Sequence, residues 1–135
     1  LEYDIETAQE KIRAAGLPRD EVFVTTNVWN DRQGDARAAV LESLGRTGLD
    51  RLDCVLIHWP APWRGTFLRA WEALAALREE GVVTSIGVSN FDAAQVDRLA
   101  EATGVAPVLN QVECHPRLQQ ARLRAAMRER GIVVQ

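Results

Sequence analysis

Five short apolar stretches recur along the chain, separated by segments with helical periodicity. The apolar stretches are rich in Val, Ile, Leu and Phe and alternate little, which is typical of strands covered on both faces. They predict strands at Glu21–Thr26, Asp53–Trp59, Thr84–Asn90, Pro107–Glu113 and Ile132–Gln135. The intervening segments predict helices at Ile5–Ala15, Asp35–Thr47, Thr66–Glu80, Asp92–Thr103 and Leu118–Arg130. The chain therefore alternates helix and strand.

A glycine follows each predicted helix and precedes the next strand by a few residues. These glycines are Gly16, Gly48, Gly81, Gly104 and Gly131. Glycine readily adopts the left-handed conformation that ends a helix and turns the chain back. Repeated helix–Gly–strand units indicate an α/β fold with parallel strands, either an open doubly wound sheet or a barrel. A full (β/α)8 barrel needs eight units and roughly 250 residues, so this chain can supply only part of one.

The two ends of the sequence have the character of a fragment. The first residue is Leu rather than Met, and the last, Gln135, lies within an apolar stretch. We therefore expect residues 1–135 to form an incomplete barrel domain, with parts missing at both ends. About five of eight strands would leave open edges near Glu21–Thr26 and Ile132–Gln135, and we expect these edges to promote self-association.

Composition and charge restrict the classes of partner. The formal net charge is −3, which provides no basic surface for nucleic acid. The sequence contains neither an apolar run that could span a bilayer nor a secretory signal pattern. Cys54 and Cys114 give no disulfide framework and suit a reducing compartment. We expect a cytoplasmic protein that binds neither nucleic acid nor membrane.

Polar and aromatic residues are concentrated where the predicted strands end and the helices begin. They occur at Thr26–Asn30, His58–Pro60, Ser89–Phe91 and Gln111–Glu113. In both candidate architectures the reactive groups collect at this end of the sheet. Amides and hydroxyls suit a neutral ligand that carries an amide, and a His beside a Tyr suits proton donation to a carbonyl oxygen. No dinucleotide glycine fingerprint, P-loop or nucleophile elbow accompanies them.

Four motifs at these positions resemble the aldo-keto reductase family. They are Phe-Val-Thr-Thr-x-x-Trp-Asn (23–30), Leu-Ile-His-Trp-Pro (56–60), Ile-Gly-Val-Ser-Asn-Phe (86–91) and Asn-Gln-Val-Glu-Cys-His-Pro (110–116). Their order and spacing are also similar to the family's, and the resemblance runs from about Tyr3 to Gln135. It implies a (β/α)8 barrel that passes hydride from NADPH, or alternatively NADH, to a small aldehyde or ketone.

The resemblance implies roles for individual residues. Tyr3, followed by Glu6 as in the family's Tyr-x-x-Glu, would be the proton donor. His58 would orient and polarise the substrate carbonyl. The nicotinamide carboxamide would be held by Ser89, Asn90 and Gln111.

Other roles remain open for several of these residues. Trp29 and Trp59 would line an apolar substrate pocket, or only pack loops against the barrel. Ser89 and Asn90 would also cap the helix that starts near Asp92. Soft metal ligands occur at Cys54, His58, Cys114 and His115, but adjacent Cys and His rarely face one ion and the family uses no metal. We therefore expect no metal.

Asn27 is the most damaging departure from the family. It occupies the position of the catalytic lysine, and the family's aspartate, which would precede Tyr3, is absent. A unit charge ~4 Å away contributes about 4 kcal/mol at an effective dielectric of ~20, and a cation there favours the phenolate. Lys11 lies in the predicted helix after Tyr3, and a guanidinium at Arg32 is a poor replacement. We expect slow carbonyl reduction; the alternative is a non-catalytic remnant or interaction module on this scaffold.

Overall fold

The computed structural model describes residues 7–135 and contains one parallel sheet whose five strands lie side by side in chain order. The strands are β1 (Thr25–Val28), β2 (Leu52–Ile57), β3 (Val83–Ser89), β4 (Leu109–Gln111) and β5 (Val133–Val134). The helices are α1 (Ala8–Ala14), α2 (Ala36–Thr47), α3 (Phe67–Glu79), α4 (Ala93–Thr103) and α5 (Ala121–Glu129). The predicted alternation of helices and parallel strands is confirmed.

The strand order favours a barrel wall over a doubly wound sheet. In a doubly wound sheet the order reverses at a switch point, whereas here each strand pairs in parallel with the next one along the chain. The prediction of about five consecutive β/α units of a (β/α)8 barrel is confirmed for the described residues.

The first strand lies later in the sequence than predicted. The prediction was Glu21–Thr26, whereas β1 begins at Thr25. Before it, Arg19–Glu21 forms a short 3-10 turn, so the chain is still turning where the apolar run begins. The correction places Asn27 inside the strand rather than after it. The other strands differ from their predicted bounds only at the ends.

A network around Asp53 explains the late start of β1. The Asp53 carboxylate accepts hydrogen bonds from the backbone N–H of Val24 at 2.8 Å and from the Arg19 guanidinium at 2.7 Å. Arg19 also donates to the carbonyl of Val22 at 2.6 Å. The N–H groups of Asp53 and Cys54 both donate to the Val24 carbonyl at 3.1 Å, so backbone pairing with β2 reaches only to Val24. The backbone before it is held by the Arg19 side chain.

The main core lies between one face of the sheet and the helices. Val55 and Ile57 of β2 are fully buried in one apolar cluster with Trp71 and Leu74 of α3. The Trp71 indole N–H donates to the carbonyl of Val105 at 2.9 Å, which satisfies the only polar atom of this side chain. Leu56, which points to the opposite face of β2, is also fully buried. Burial on both faces explains why the strand sequence is almost continuously apolar.

On the opposite face of the sheet, which we term the inner face, the side chains of Leu56 and Leu109 pack over Gly87. The register pairs Leu56 of β2 with Gly87 of β3. A Cβ at Gly87 would lie 2.8 Å from both the carbonyl oxygen of Leu109 and Cδ2 of Leu56. Only glycine allows β4 to approach this closely, so Leu56 and Leu109 form a packed floor below the carboxyl end of the sheet.

The five glycines predicted to end helices all adopt left-handed backbone conformations. Their φ values are 68°, 69°, 80°, 72° and 68°, for Gly16, Gly48, Gly81, Gly104 and Gly131. This prediction is confirmed, and each such turn delivers the chain to the amino end of the next strand.

Strands β1 and β5 are the edges of the sheet within the described part of the chain. Self-association through these edges stays a prediction. No helix of the described residues is both long and apolar enough to cross a lipid bilayer.

Candidate active site at the carboxyl end of the sheet

The strand register brings side chains from four strands onto the inner face at the carboxyl end of the sheet. Ser89 of β3 pairs with Gln111 of β4. The register of β2 with β3 places His58, one residue beyond β2, level with Ser89. The register of β1 with β2 places Trp29 level with His58. Since side chains alternate between the faces of a strand, these four project to the same side.

His58 lies between two indole rings. Its ring centroid is 4.4 Å from that of Trp29 and 6.4 Å from that of Trp59. Both indoles remain exposed, at 61% for Trp29 and 46% for Trp59. Nδ1 of His58 is buried without a hydrogen-bond partner. The imidazole is therefore fixed by aromatic contacts while one of its nitrogens remains unpaired.

A polar patch of three residues adjoins His58. The Ser89 hydroxyl is buried and donates to Oε1 of Gln111 at 3.4 Å, a weak contact that leaves both groups able to bind another partner. Asn90 has a left-handed φ of 62°. Its side chain donates to the backbone carbonyl of His58 at 3.0 Å, and its backbone N–H donates to the carbonyl of Gln111 at 3.0 Å. Asn90 thereby joins the ends of β2, β3 and β4.

Asn27 contributes an unpaired acceptor on the same face. Its Oδ1 is buried without a partner. The guanidinium of Arg32 binds Asp35 at 2.9 Å and Glu42 at 3.0 Å, so this cation is engaged on the outer surface. Lys11 is exposed on α1. Neither basic residue takes over the role of a lysine at position 27.

Two buried carboxamides at the same end of the sheet had no signal in the sequence pattern. Gln33, in the 3-10 turn Asn30–Asp35 after β1, is 1% exposed, and Asn110 of β4 is 0% exposed. A glutamine in a loop is ordinarily exposed, so only tertiary contacts identify Gln33. Asn110 lies within the fourth motif, where its neighbour Gln111 was the predicted ligand.

The capping role predicted for Ser89 and Asn90 is wrong. The N-cap of α4 is Asp92, whose carboxylate accepts from the N–H of Gln95 at 2.7 Å. The Gln95 side chain accepts in return from the N–H of Asp92 at 3.0 Å, which completes a capping box. Ser89 and Asn90 precede this box and are left for other contacts.

The remaining candidates lie away from the inner-face site or beyond the described residues. Tyr3 is outside the described residues. His115 contacts Glu113 at 3.0 Å on an exposed loop, a pair that shapes the chain after β4. Burial, reinforced by Asp53, raises the pKa of the Cys54 thiol to about 11, so the thiol stays protonated. Among residues 7–135 no three His, Cys, Asp or Glu side chains are grouped to hold a metal ion.

Comparison with known proteins gives a consistent result. The profile of the Aldo/keto reductase family matches residues 4–135. Methylglyoxal reductase DkgA of Salmonella typhimurium is 47% identical over 114 residues, which cover 84% of this chain and 42% of the relative. The chain therefore spans less than half the length of this relative.

Solved structures agree with the sequence comparison. A crystal structure of an aldo/keto reductase from Brucella melitensis superposes with a TM-score of 0.88 and 43% identity, covering 94% of this chain and 50% of that protein. An aldo-keto reductase of Bombyx mori in complex with NADP gives a TM-score of 0.84 and 37% identity, covering 95% of this chain and 46% of that protein.

Proposed function

The chain belongs to the aldo-keto reductase family of oxidoreductases, and on that premise we propose that it provides the carbonyl and nicotinamide side of an NADPH-dependent reductase acting on small aldehydes and ketones. The observation that carries this proposal is the register that sets His58 level with Ser89, and Ser89 level with Gln111, on one face. We also propose that residues 1–135 act as part of a barrel domain, because β1 and β5 are unpaired edges in the described sheet. The cytoplasmic location and the use of NADH stay predictions.

The polar patch fits the nicotinamide carboxamide by its chemistry. A carboxamide needs a donor for its oxygen and acceptors for its N–H groups. The Ser89 hydroxyl can donate, and Oε1 of Gln111 can accept, since their mutual contact is long at 3.4 Å. The Asn90 side chain donates one N–H to the His58 carbonyl, and its Oδ1 is still able to accept a hydrogen bond from the ligand. These donors and acceptors therefore suit the nicotinamide carboxamide without a change in the loop conformations.

The carbonyl side has one orienting group and two apolar walls. In the proposed reaction NADPH supplies a hydride to the carbonyl carbon, and a proton passes to the oxygen to give the alcohol. His58 orients that oxygen, and the indoles of Trp29 and Trp59 exclude water around it. Tyr3 is the proposed proton donor. The substrate class is that of small carbonyl compounds such as methylglyoxal.

Asn27 limits the rate of this reaction in the proposal. A lysine at this position would place a cation beside the phenol and favour loss of its proton. Asn27 instead presents a buried Oδ1 without a partner, which offers no positive charge. We therefore propose that cofactor binding survives in this chain while proton transfer is slow.

The proposal is tested in a chimera in which this chain replaces the matching segment of full-length Salmonella typhimurium methylglyoxal reductase. We expect the chimera to bind NADPH, seen as quenching of cofactor fluorescence, and to reduce methylglyoxal slowly. Asn27→Lys should raise kcat by two to three orders of magnitude, because a unit charge at ~4 Å contributes about 4 kcal/mol at an effective dielectric of ~20.

Asn27→Gln is the matched control, since it changes size without adding charge and should leave kcat low. A chimera that binds no NADPH, or an Asn27→Lys variant no faster than its parent, would show that the assignment is wrong. The second candidate function is a cofactor-binding remnant, which the unpaired Oδ1 of Asn27 favours. That candidate predicts NADPH binding with no turnover in the chimera.

A further inference from the structure

The buried polar side chains of the described residues all lie at the carboxyl end of the sheet. They are Gln33, Ser89 and Asn110, each at most 2% exposed. Ser89 belongs to the site already described. Gln33 and Asn110 carry neutral carboxamides, and burial of such groups is unfavourable unless their hydrogen bonds are satisfied. The partners they bind therefore show what their burial achieves.

Asn110 fixes the backbone of the loop that carries the polar patch. Its Nδ2 donates to the carbonyl of Phe91 at 2.8 Å, and its Oδ1 accepts from the N–H of the same residue at 3.4 Å. Both bonds are made to the residue that follows Asn90, whose φ is 62°. Asparagine tolerates the left-handed region better than most residues with a side chain, and the conformation persists where its surroundings hold it.

Gln33 makes the equivalent connection on the side of the indoles. Its Nε2 donates to the carbonyl of Trp59 at 2.7 Å, and its Oε1 accepts from the hydroxyl of Thr66 at 2.8 Å. Gln33 itself belongs to the loop that follows Trp29. One side chain thus ties together the loops after β1 and β2, which carry Trp29 and Trp59.

We propose that Gln33 and Asn110 are positioning residues that divide the site between them. Asn110 holds Ser89 and Asn90 in place for the nicotinamide, and Gln33 sets the aperture between Trp29 and Trp59 through which the carbonyl compound enters. Neither carboxamide touches the reacting atoms. This inference depends on the proposed function. It assigns control of cofactor affinity to Asn110 and control of substrate-size preference to Gln33.

The two roles are assigned from the partners that each carboxamide binds. Loss of the Asn110 carboxamide leaves the N–H and C=O of Phe91 buried without partners, so the left-handed turn at Asn90 can relax and the patch loses its geometry. Loss of the Gln33 carboxamide frees the Trp59 carbonyl, which lies on a different loop. The bonds of Asn110 and of Gln33 share no residue. The two sides of the site are joined through the bond from the Asn90 side chain to the His58 carbonyl. Each side can therefore be perturbed through its own carboxamide.

The first experiment replaces Asn110 by leucine in the N27K chimera and measures the NADPH dissociation constant by fluorescence. We expect a rise of about tenfold, because the two unsatisfied groups of Phe91 favour a rearranged loop. NADPH deuterated on one face of C4 should also transfer its label less selectively. The preference between methylglyoxal and the bulky 2-naphthaldehyde should not change. Asn110→Ser gives a milder version if leucine prevents folding.

The second experiment replaces Gln33 by methionine, which has a similar shape and no amide. We expect the ratio of kcat/KM for 2-naphthaldehyde to that for methylglyoxal to change about fivefold as the indoles lose their fixed separation. NADPH affinity should stay at the parent value. Thr66→Val removes only the bond to Oε1 and should produce a smaller shift in the same direction.

Trp71→Phe is the control for a merely structural effect, since it deletes a buried hydrogen bond to Val105 far from the site. It should lower the melting temperature and move neither readout. If Asn110→Leu and Gln33→Met behave like Trp71→Phe, or if each shifts both readouts together, the positioning roles are overturned while the reductase assignment stands. A chimera without NADPH binding overturns both.

Discussion

The two ends of the sheet differ in how they hold their turns. At the amino end, where helices return to strands, the left-handed positions are occupied by glycines such as Gly48 and Gly104. At the carboxyl end, one left-handed position is Gly65 and three carry side chains, at Ala61, Asn90 and Gln120. Left-handed glycine costs little and asparagine tolerates the conformation, whereas it costs residues such as Ala61 and Gln120 roughly 1–2 kcal/mol each. The carboxyl end therefore tolerates strain that the amino end avoids.

Hydrogen bonding shows the same contrast between the ends. At the amino end the Asp53 carboxylate joins Arg19 and the Val24 backbone in one network, in which the Arg19 Nε is buried without a partner. At the carboxyl end, buried polar atoms of Asn27, Asn30 and His58 have no partner among the described residues. Among the described residues, one buried side-chain polar atom is thus unpaired at the amino end, against three at the carboxyl end. The contrast indicates that stability is concentrated at the amino end and chemistry at the carboxyl end.

The largest effect on stability is expected at the amino end, from Asp53→Ala. This change removes the acceptor of the Val24 N–H and the anionic partner of Arg19. The Arg19 side chain is only 19% exposed and keeps its bonds to the Val22 and Arg51 carbonyls. The free energy of unfolding should fall by about 3 kcal/mol, because removing one partner of a buried pair strands the other. Urea denaturation of the chimera measures the change, and the NADPH dissociation constant should stay the same.

Asp20→Ala is the matched control for Asp53→Ala. Asp20 pairs with Arg51 at 2.7 Å but is 86% exposed, so water replaces the lost contact and little stability should be lost. Equal losses in the two variants would contradict a stabilising role for the Asp53 network at the amino end.

An intermediate effect on stability is expected from Gly87→Ala. Gly87 lies on the inner face of β3, between the two ends of the sheet. The new Cβ would lie 2.8 Å from the Leu109 carbonyl, so β4 must shift. We expect a loss of about 1–3 kcal/mol in the free energy of unfolding, typical of overpacking. Because Gln111 follows on the same strand, NADPH should also bind more weakly. A destabilised variant with unchanged NADPH affinity would show that the packing of Leu56 and Leu109 does not affect the cofactor site.

The smallest effects are expected from exchanging glycine and alanine at one turn of each end. Gly104→Ala at φ 72° adds strain at an open position and should cost about 1–2 kcal/mol in unfolding free energy. Ala61→Gly at φ 41° relieves strain but loses a buried methyl, so the two effects nearly cancel. A large loss at Ala61 would show that this turn carries no strain.

The sequence pattern identified the helices and the glycine turns well because those signals are local. Each helix overlaps its predicted range, and each predicted glycine is left-handed. The predicted bounds of β1 were wrong because Arg19–Glu21 forms a turn and the Val24 N–H is bound by the Asp53 carboxylate. Nothing near Val24 indicates that a side chain about thirty residues later will bind its backbone.

For the site, the sequence identified the side chains that gather on the inner face but not the buried carboxamides that bond to their loops. His58, Ser89 and Gln111 stand at strand ends within recognisable motifs, and the structure brings them together. Their catalytic roles stay predictions, as does that of Tyr3. Gln33 could not be found from the pattern, since its function depends on a carbonyl twenty-six residues away.

The sequence by itself determined the order of strands and helices, the direction of the chain at each turn and the end of the sheet at which polar groups collect. Periodicity and glycine placement act over a few residues, so they can be recognised without tertiary contacts. Only the tertiary structure decided that Asn27 lies inside a strand with an unpaired oxygen and that Gln33 and Asn110 are buried. Those properties depend on hydrogen bonds between distant segments, which form only when the sheet has assembled.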